Sequence, residues 1–128
     1  MGPRILIADD DPLIRTLIAA CLQDIAEVHK AGDGARALQM LAHTNFDLLL
    51  LDWDMPDPDG LAVLATLRNR GIRTPVVMVT AQAERARVVE ALRAGASDYL
   101  VKPFESAALR AKVQRFCKPR PPQPVHVE

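Results

Sequence analysis

Carboxylates stand directly after two apolar segments of this chain. The segment 5–8 runs into Asp9 and Asp10, and four leucines at 48–51 run into Asp52. Short apolar runs of this kind are typical of strands buried in a parallel sheet. Because the carboxyl ends of parallel strands meet at one edge of the sheet, we expect these carboxylates to share a pocket. Like charges at close range repel each other, so such a pocket needs a cation.

A hydroxyl and an ammonium group follow two further apolar segments. Residues 76–79 run into Thr80, and residues 99–101 run into Lys102. Each of the two has an ordinary structural explanation when taken alone, since threonine caps helices and Lys-Pro is common in turns. Combined with the carboxylates, they form a set suited to phosphate. Mg²⁺ prefers carboxylate and phosphate oxygens, and a lysine ammonium suits a phosphoryl oxygen. We therefore predict a phosphate site that uses Mg²⁺, with Mn²⁺ as a second candidate.

Helical periodicity separates these segments. Residues 12–24 repeat apolar side chains every three to four positions behind Asp11 and Pro12, which is typical of a capped amphipathic helix. Strands and helices alternate five times, the strand near 27–31 having the weakest pattern. The alternation predicts an α/β fold: a single doubly wound, five-stranded parallel sheet with five helices, in the flavodoxin-like order 2-1-3-4-5. Gly95 is placed as the residue that ends the fourth helix.

Composition and charge narrow the function classes. The chain has 128 residues, enough for one domain with one core. Residues 1–60 hold 4 basic and 11 acidic residues, whereas residues 61–128 hold 12 basic and 5 acidic ones. The basic half is either a solvated helical surface or a partner-docking face. Scarce aromatics and the lack of a dense basic run disfavour direct nucleic-acid binding.

The cellular setting follows from other features. No run of 18 apolar residues exists, so we expect no membrane insertion, and the start of the chain lacks the shape of a signal peptide. Cys21 and Cys117 lie far apart in sequence, which favours reduced thiols over a disulfide. We expect a cytoplasmic protein. The three histidines have no metal-ligand spacing and are expected at the surface.

The ordered set of motifs resembles the receiver domain of bacterial response regulators over residues 4–117. The shared features are the acidic pair after the first strand and three later motifs: Asp52-x-x-x-Pro56-x-x-x-Gly60, Thr80-Ala81 and Tyr99-x-x-Lys102-Pro103-Phe104. We assign residues 1–117 to the receiver domain. Residues 118–128 form a proline-rich tail or linker, which we expect to be extended or disordered.

The resemblance implies a phosphorylation-activated signalling switch of a two-component or phosphorelay system. Asp52 would accept a phosphoryl group from a histidine kinase or histidine phosphotransfer protein. Asp10, Asp52 and the backbone carbonyl of Asp54 would bind Mg²⁺ directly, and Asp9 would bind it through water. We expect no turnover of a separate substrate, so the chain is not predicted to be an enzyme.

The resemblance also implies how the signal leaves the site. Lys102 would pair with the phosphoryl group, Thr80 would move toward it, and Tyr99 would turn inward, although simple strand packing of Tyr99 is the alternative. The Lys102-Pro103 bond would be cis. The face formed by the fourth helix, fifth strand and fifth helix would then change its affinity for an unknown downstream protein or output domain. The basic residues placed on this partner surface are Arg85, Arg87, Arg93, Arg110, Lys112 and Arg115.

Several positions depart from the common family pattern. Asp57-Pro58 stands where many relatives have glycine and an apolar residue, and Pro58 should stiffen that loop. Asp54 and Gln82 occupy positions that tune how fast phosphate is lost. The carboxylate of Asp54 could repel the attacking water or orient it. Trp53 is expected to be partly exposed beside the site.

Other interpretations fit less well. Asp52-x-Asp54 is similar to the paired aspartates of haloacid-dehalogenase-type phosphatases, but here the motif follows a later strand and continues with Pro56, which leaves the first acidic pair unexplained. A calcium loop over 52–60 lacks the closing glutamate. A free-standing regulator and the receiver part of a longer protein both remain open.

Overall fold

Five strands and five helices alternate along residues 2–117, the part of the chain that this computed structural model describes. The strands are β1 (Arg4–Ala8), β2 (Glu27–Ala31), β3 (Leu48–Asp52), β4 (Val76–Thr80) and β5 (Asp98–Val101). The helices are α1 (Pro12–Leu22), α2 (Gly34–His43), α3 (Gly60–Asn69), α4 (Arg85–Arg93) and α5 (Ser106–Phe116). The predicted tail at 118–128 lies outside the described residues.

All strand pairs are parallel, and the sheet order is β2-β1-β3-β4-β5, which confirms the predicted flavodoxin-like topology. The weakly patterned segment 27–31 does form a strand, at the edge of the sheet. Every residue of β3 and β4 is buried. That burial explains their continuous apolar sequences, because strands covered by helices on both faces do not alternate with polar residues.

Two apolar layers lie on opposite faces of the sheet. Leu49 and Leu51 of β3 pack with residues of α2 and α3, and Ala91 of α4 joins the same layer. Leu48 and Leu50 point to the other face and pack with residues of α1 and α5. Successive side chains of a strand point to opposite faces of the sheet, so the leucines of β3 are divided between the two layers. A sheet fixed from both sides holds its carboxyl-terminal ends in place.

Aspartate side chains start three of the helices. The carboxylates of Asp11, Asp33 and Asp59 each accept a backbone N–H of the first helical turn and so satisfy a group that has no partner within the helix. The first helix ends at Leu22, not at residue 24 as predicted. The carbonyl of Leu22 accepts the N–H groups of Ile25 and Ala26 in a turn that redirects the chain into β2. Gly95 has φ +108 and follows α4, in agreement with its predicted position.

Gly60 allows α3 to begin directly against the end of β3. A Cβ atom at this position would lie 2.4 Å from the carbonyl oxygen of Asp52 and 2.6 Å from Cα of Trp53. Any larger residue would therefore push the helix away from the strand. The N–H of Gly60 also donates to the carbonyl of Trp53 at 2.9 Å, which closes the loop over 53–59.

Within the described range, no helix is both long and apolar enough to cross a membrane. Cys21 and Cys117 are free thiols, as predicted, and both are half-buried. Burial, together with the nearby charge of Asp47, raises the pKa of Cys117 to about 11.

Candidate functional site

Three strands deliver polar side chains to the same edge of the sheet. Asp9 follows β1, Asp52 ends β3 and Thr80 ends β4, with relative exposures of 1%, 3% and 2%. They are the three buried polar or charged residues among the described part of the chain. Burying a polar group without a hydrogen-bond partner destabilises the fold, so a cluster of such groups in an apolar core indicates a functional site.

The carboxylates form the predicted acidic cluster. Asp9, Asp10 and Asp52 each offer an oxygen, and the three oxygens lie within 4.8 Å of one another. Asp10 is exposed, so the cluster opens to solvent on its side. Asp9 accepts the N–H of Asp11 at 2.9 Å, and Asp52 accepts the N–H of Asp54 at 3.2 Å. Backbone groups therefore fix both buried carboxylates in orientation.

Lys102 is the cation that faces this cluster. Its Nζ donates to Oδ2 of Asp9 at 3.1 Å and to Oδ1 of Asp52 at 3.3 Å. Its own backbone N–H donates to the carbonyl of Thr80 at 2.7 Å, which holds the residue at the end of β5. Burial alone would lower the pKa of Lys102, but the hydrogen bond to Asp9 and the charges of Asp52 and Asp9 outweigh it and raise that pKa. The ammonium is therefore charged at neutral pH.

The buried carboxylate of Asp52 is only partly compensated. Burial raises its pKa to about 6, the charge of Asp9 adds to the effect, and Lys102 opposes it. Asp10 forms no ion pair within residues 2–117. Hard oxygen donors, close spacing and incomplete neutralisation are the properties of a magnesium site, so the residues fit the predicted ion.

The two predicted switch residues lie on neighbouring strands: Thr80 ends β4 at the edge that carries the cluster, and Tyr99 of β5 is paired with Met78 of β4. Oγ1 of Thr80 accepts the N–H of Gln82 at 3.1 Å, which orients the hydroxyl, while the side chain of Gln82 is exposed. Tyr99 is half-buried and packs against the layer that holds α2 and α3. The adjacent Lys102-Pro103 bond is cis, as is Asp57-Pro58.

Trp53 differs from its prediction. The indole was expected to be partly exposed, but its relative exposure is 6%. Trp53 belongs to the apolar layer that holds α2 and α3. The guanidinium carbon of Arg87 of α4 also lies 4.1 Å from the centroid of a Trp53 ring. Arg87 also pairs with Oδ1 of Asp54. Sequence reasoning placed Arg87 on a partner surface and missed this contact, because no local pattern tells how α4 sits over the loop after β3.

Four of the six basic residues predicted on the partner surface form ion pairs, Arg87 among them. Arg110 pairs with Asp24 at 2.9 Å, and both Lys112 and Arg115 approach Asp98. Arg85 and Arg93 are exposed and form no ion pair among the described residues, so they are the cations most available to a partner. They also line an open cavity of about 800 Å³ on α4.

Known proteins are similar to this chain in sequence and in fold. The family profile of the response regulator receiver domain matches residues 5–114. Chemotaxis protein CheY of Pseudomonas aeruginosa PAO1 is 40% identical over 117 residues, which cover 88% of this chain and 94% of that protein. Regulatory protein AtoC of Escherichia coli K12 is 44% identical over 114 residues, which cover 88% of this chain but 24% of that protein.

A solved structure gives the same result in three dimensions. The receiver domain of the Francisella response regulator 1452 superposes with a TM-score of 0.86 at 34% identity, covering 90% of this chain and 96% of that chain. Similarity of sequence and of fold thus runs over the same residues that carry the strand-end cluster. This chain belongs to the response regulator receiver domain family of two-component and chemotaxis signalling.

Proposed function

We propose that this receiver domain is a phosphorylation-activated switch in which Asp52 is the phosphoacceptor. The single observation that carries the proposal is the placement of Asp52: it is buried at the end of β3, yet lies in a cluster open to solvent beside Asp10. The phosphoryl donor would be a histidine kinase or a histidine phosphotransfer protein. No separate substrate would be turned over.

In the transfer step, a carboxylate oxygen of Asp52 attacks the phosphorus of a phosphohistidine. The new P–O bond forms as the P–N bond breaks, and the electron pair of that bond stays on the imidazole nitrogen. Asp52 must be ionised to act. With its pKa at about 6, the carboxylate is mostly ionised at neutral pH. Its charge is less well solvated than that of an exposed aspartate.

Lys102 would neutralise charge on the transferred group. Phosphoryl transfer depends mainly on in-line positioning and on charge stabilisation. The Nζ of Lys102 already lies between Asp9 and Asp52, so it would reach a phosphoryl oxygen with a small movement. When bound, Mg²⁺ or Mn²⁺ would supply further charge neutralisation, held by the carboxylates of Asp10 and Asp52, the carbonyl of Asp54 and, through water, Asp9.

Thr80 and Tyr99 would carry the signal outward. The Thr80 hydroxyl would gain a hydrogen bond only when a phosphoryl group is present, and a contact made in one state alone shifts the balance between states. Tyr99 follows on the neighbouring strand and would turn inward as Thr80 moves. The face of α4, β5 and α5 would then change its affinity for a downstream partner, with the exposed Arg85 and Arg93 as contact residues.

The test is intact-mass measurement after mixing the protein with acetyl phosphate and Mg²⁺. We expect one added phosphoryl group that requires the metal ion and decays with time. Asp52→Asn should remove the adduct. Asp57→Asn, which changes an exposed aspartate of the same loop, should retain it. An adduct of equal yield on the Asp52→Asn protein would overturn the proposal.

A further inference from the structure

Arg87 has surroundings unlike those of any other arginine on α4. Its guanidinium lies over the Trp53 ring, at 4.1 Å from the centroid, and pairs through Nη2 with Oδ1 of Asp54. Its side chain is 18% exposed, whereas that of Asp54 is 47% exposed. The Nε atom is buried and has no hydrogen-bond partner among the described residues. A buried donor without a partner lowers stability, so the other contacts of Arg87, with Trp53 and Asp54, must offset that loss.

The two partners of Arg87 directly follow the proposed phosphoacceptor. The backbone of Trp53 is fixed on both sides, since its N–H donates to Val79 and its carbonyl accepts from Gly60. The N–H of Asp54 donates to Asp52 itself. Backbone hydrogen bonds thus hold Trp53 and Asp54 in place, and Arg87 is the group that pairs with the Asp54 side chain.

We propose that Arg87 is a positioning residue that prolongs the life of the aspartyl phosphate by keeping the Asp54 carboxylate from orienting the attacking water. The inference rests on the proposed function. In hydrolysis, a water oxygen forms a new bond to phosphorus while the bond from phosphorus to the Asp52 oxygen breaks. The electron pair returns to the Asp52 carboxylate, a water proton passes to solvent, and inorganic phosphate leaves.

The direction of the effect follows from the chemistry of the nucleophile. Water is neutral, so a nearby carboxylate acts on it by accepting a hydrogen bond more than by charge repulsion. A carboxylate that accepts such a bond orients the water and assists loss of its proton. In the ion pair, Oδ1 of Asp54 is already occupied by Arg87 and drawn toward α4. Removing the guanidinium frees that oxygen.

The experiment measures the rate at which the phosphoryl group is lost after the donor is removed. Arg87→Met keeps a long apolar stem over Trp53 but has no charge. We expect it to lose phosphate about tenfold faster, the factor that one ordinary hydrogen bond produces in a rate. Arg87→Lys should stay close to the parent rate because it restores a cation beside Asp54. Arg36→Met, which changes an exposed arginine of α2, is the matched control and should not change the rate.

The second half of the experiment repeats the comparison in an Asp54→Asn background. There the Arg87→Met change should have no effect, because the group through which Arg87 acts is gone. Equal rates for the parent and Arg87→Met proteins would overturn the inference, as would the same acceleration in both backgrounds. If Arg87→Met does not fold, Arg87→Ala serves in the same design. Absence of any adduct on the parent protein would instead refute the proposed function.

Discussion

The Nζ atom of Lys102 lies 3.3 Å from Oδ1 of Asp52, although the two residues are 50 positions apart in sequence. The contact spans the ends of β3 and β5, with β4 between them. It also includes Asp9 at 3.1 Å, so one ammonium group holds two buried carboxylates together. Without a cation at this point, two buried like charges would face each other at the edge of the sheet.

Replacing Lys102 by methionine should slow phosphorylation. The change removes the cation that neutralises the phosphoryl oxygens and leaves Asp9 and Asp52 to repel the incoming anion. We expect the rate of adduct formation with acetyl phosphate to fall by about tenfold or more, measured by intact mass. Lys30→Met changes an exposed lysine of β2 and should leave the rate unaltered. A Lys102→Met protein that is phosphorylated at the parent rate would show that Lys102 has no part in the transfer.

Asp52→Asn should stabilise the metal-free protein at neutral pH. The native pKa of about 6 exceeds the ordinary value of 3.8, so the folded state binds the proton more tightly than the unfolded state does. Ionised Asp52 therefore destabilises the fold above pH 6, by about 3 kcal/mol, and this penalty fades as the pH falls from 6 to 4.

Urea denaturation without divalent ions checks this prediction. The free energy of unfolding of Asp52→Asn should exceed that of the parent by about 2 kcal/mol at pH 7.5, allowing for lost contacts with Lys102, and the difference should shrink toward pH 4. A difference that grows in acid would contradict the assignment of a raised pKa to Asp52.

Gly60→Ala should lower the free energy of unfolding more than a glycine-to-alanine change at a position with no neighbouring atoms. The new Cβ would lie 2.4 Å from the Asp52 carbonyl oxygen and would force α3 away from β3. We expect a loss of about 3 kcal/mol and slower phosphorylation, since Asp52 shifts with the strand end. Gly71→Ala is the comparison: it has a positive φ but nothing within 4 Å, so only backbone strain of about 1 kcal/mol applies. Equal losses in urea denaturation would refute the close-approach argument.

Thr80→Ala should separate phosphorylation from the conformational response. Tyr99 is the only tyrosine in the chain, so fluorotyrosine labelling gives a single ¹⁹F resonance. We expect that resonance to shift when the parent protein is phosphorylated, and to shift far less in Thr80→Ala although the mass adduct still forms. Thr16→Ala, on the exposed face of α1, should behave as the parent. A full shift in Thr80→Ala would show that Tyr99 responds without Thr80.

The order of strands and the strand-end residues could be predicted because they depend on local patterns. Continuous apolar runs end at Asp52 and Thr80, and parallel topology places those ends together. The position of Trp53 could not be predicted in the same way. Trp53 packs into the layer that holds α2 and α3, and its other contact, Arg87, is 34 positions later and reaches it through the docking of α4. A contact between a loop and a helix that lies far away in sequence leaves no periodic pattern in the sequence.

Chemical trapping can identify the residue that carries the phosphoryl group, which we propose to be Asp52. An acyl phosphate is reduced by borohydride, whereas a free carboxylate is not, so the modified aspartate becomes homoserine. The parent protein, treated with acetyl phosphate and Mg²⁺ and then reduced, is digested and sequenced by mass spectrometry. We predict homoserine at position 52 and none at Asp9, Asp10 or Asp54. Homoserine at one of those positions, with Asp52 unmodified, would show that another aspartate is the phosphoacceptor.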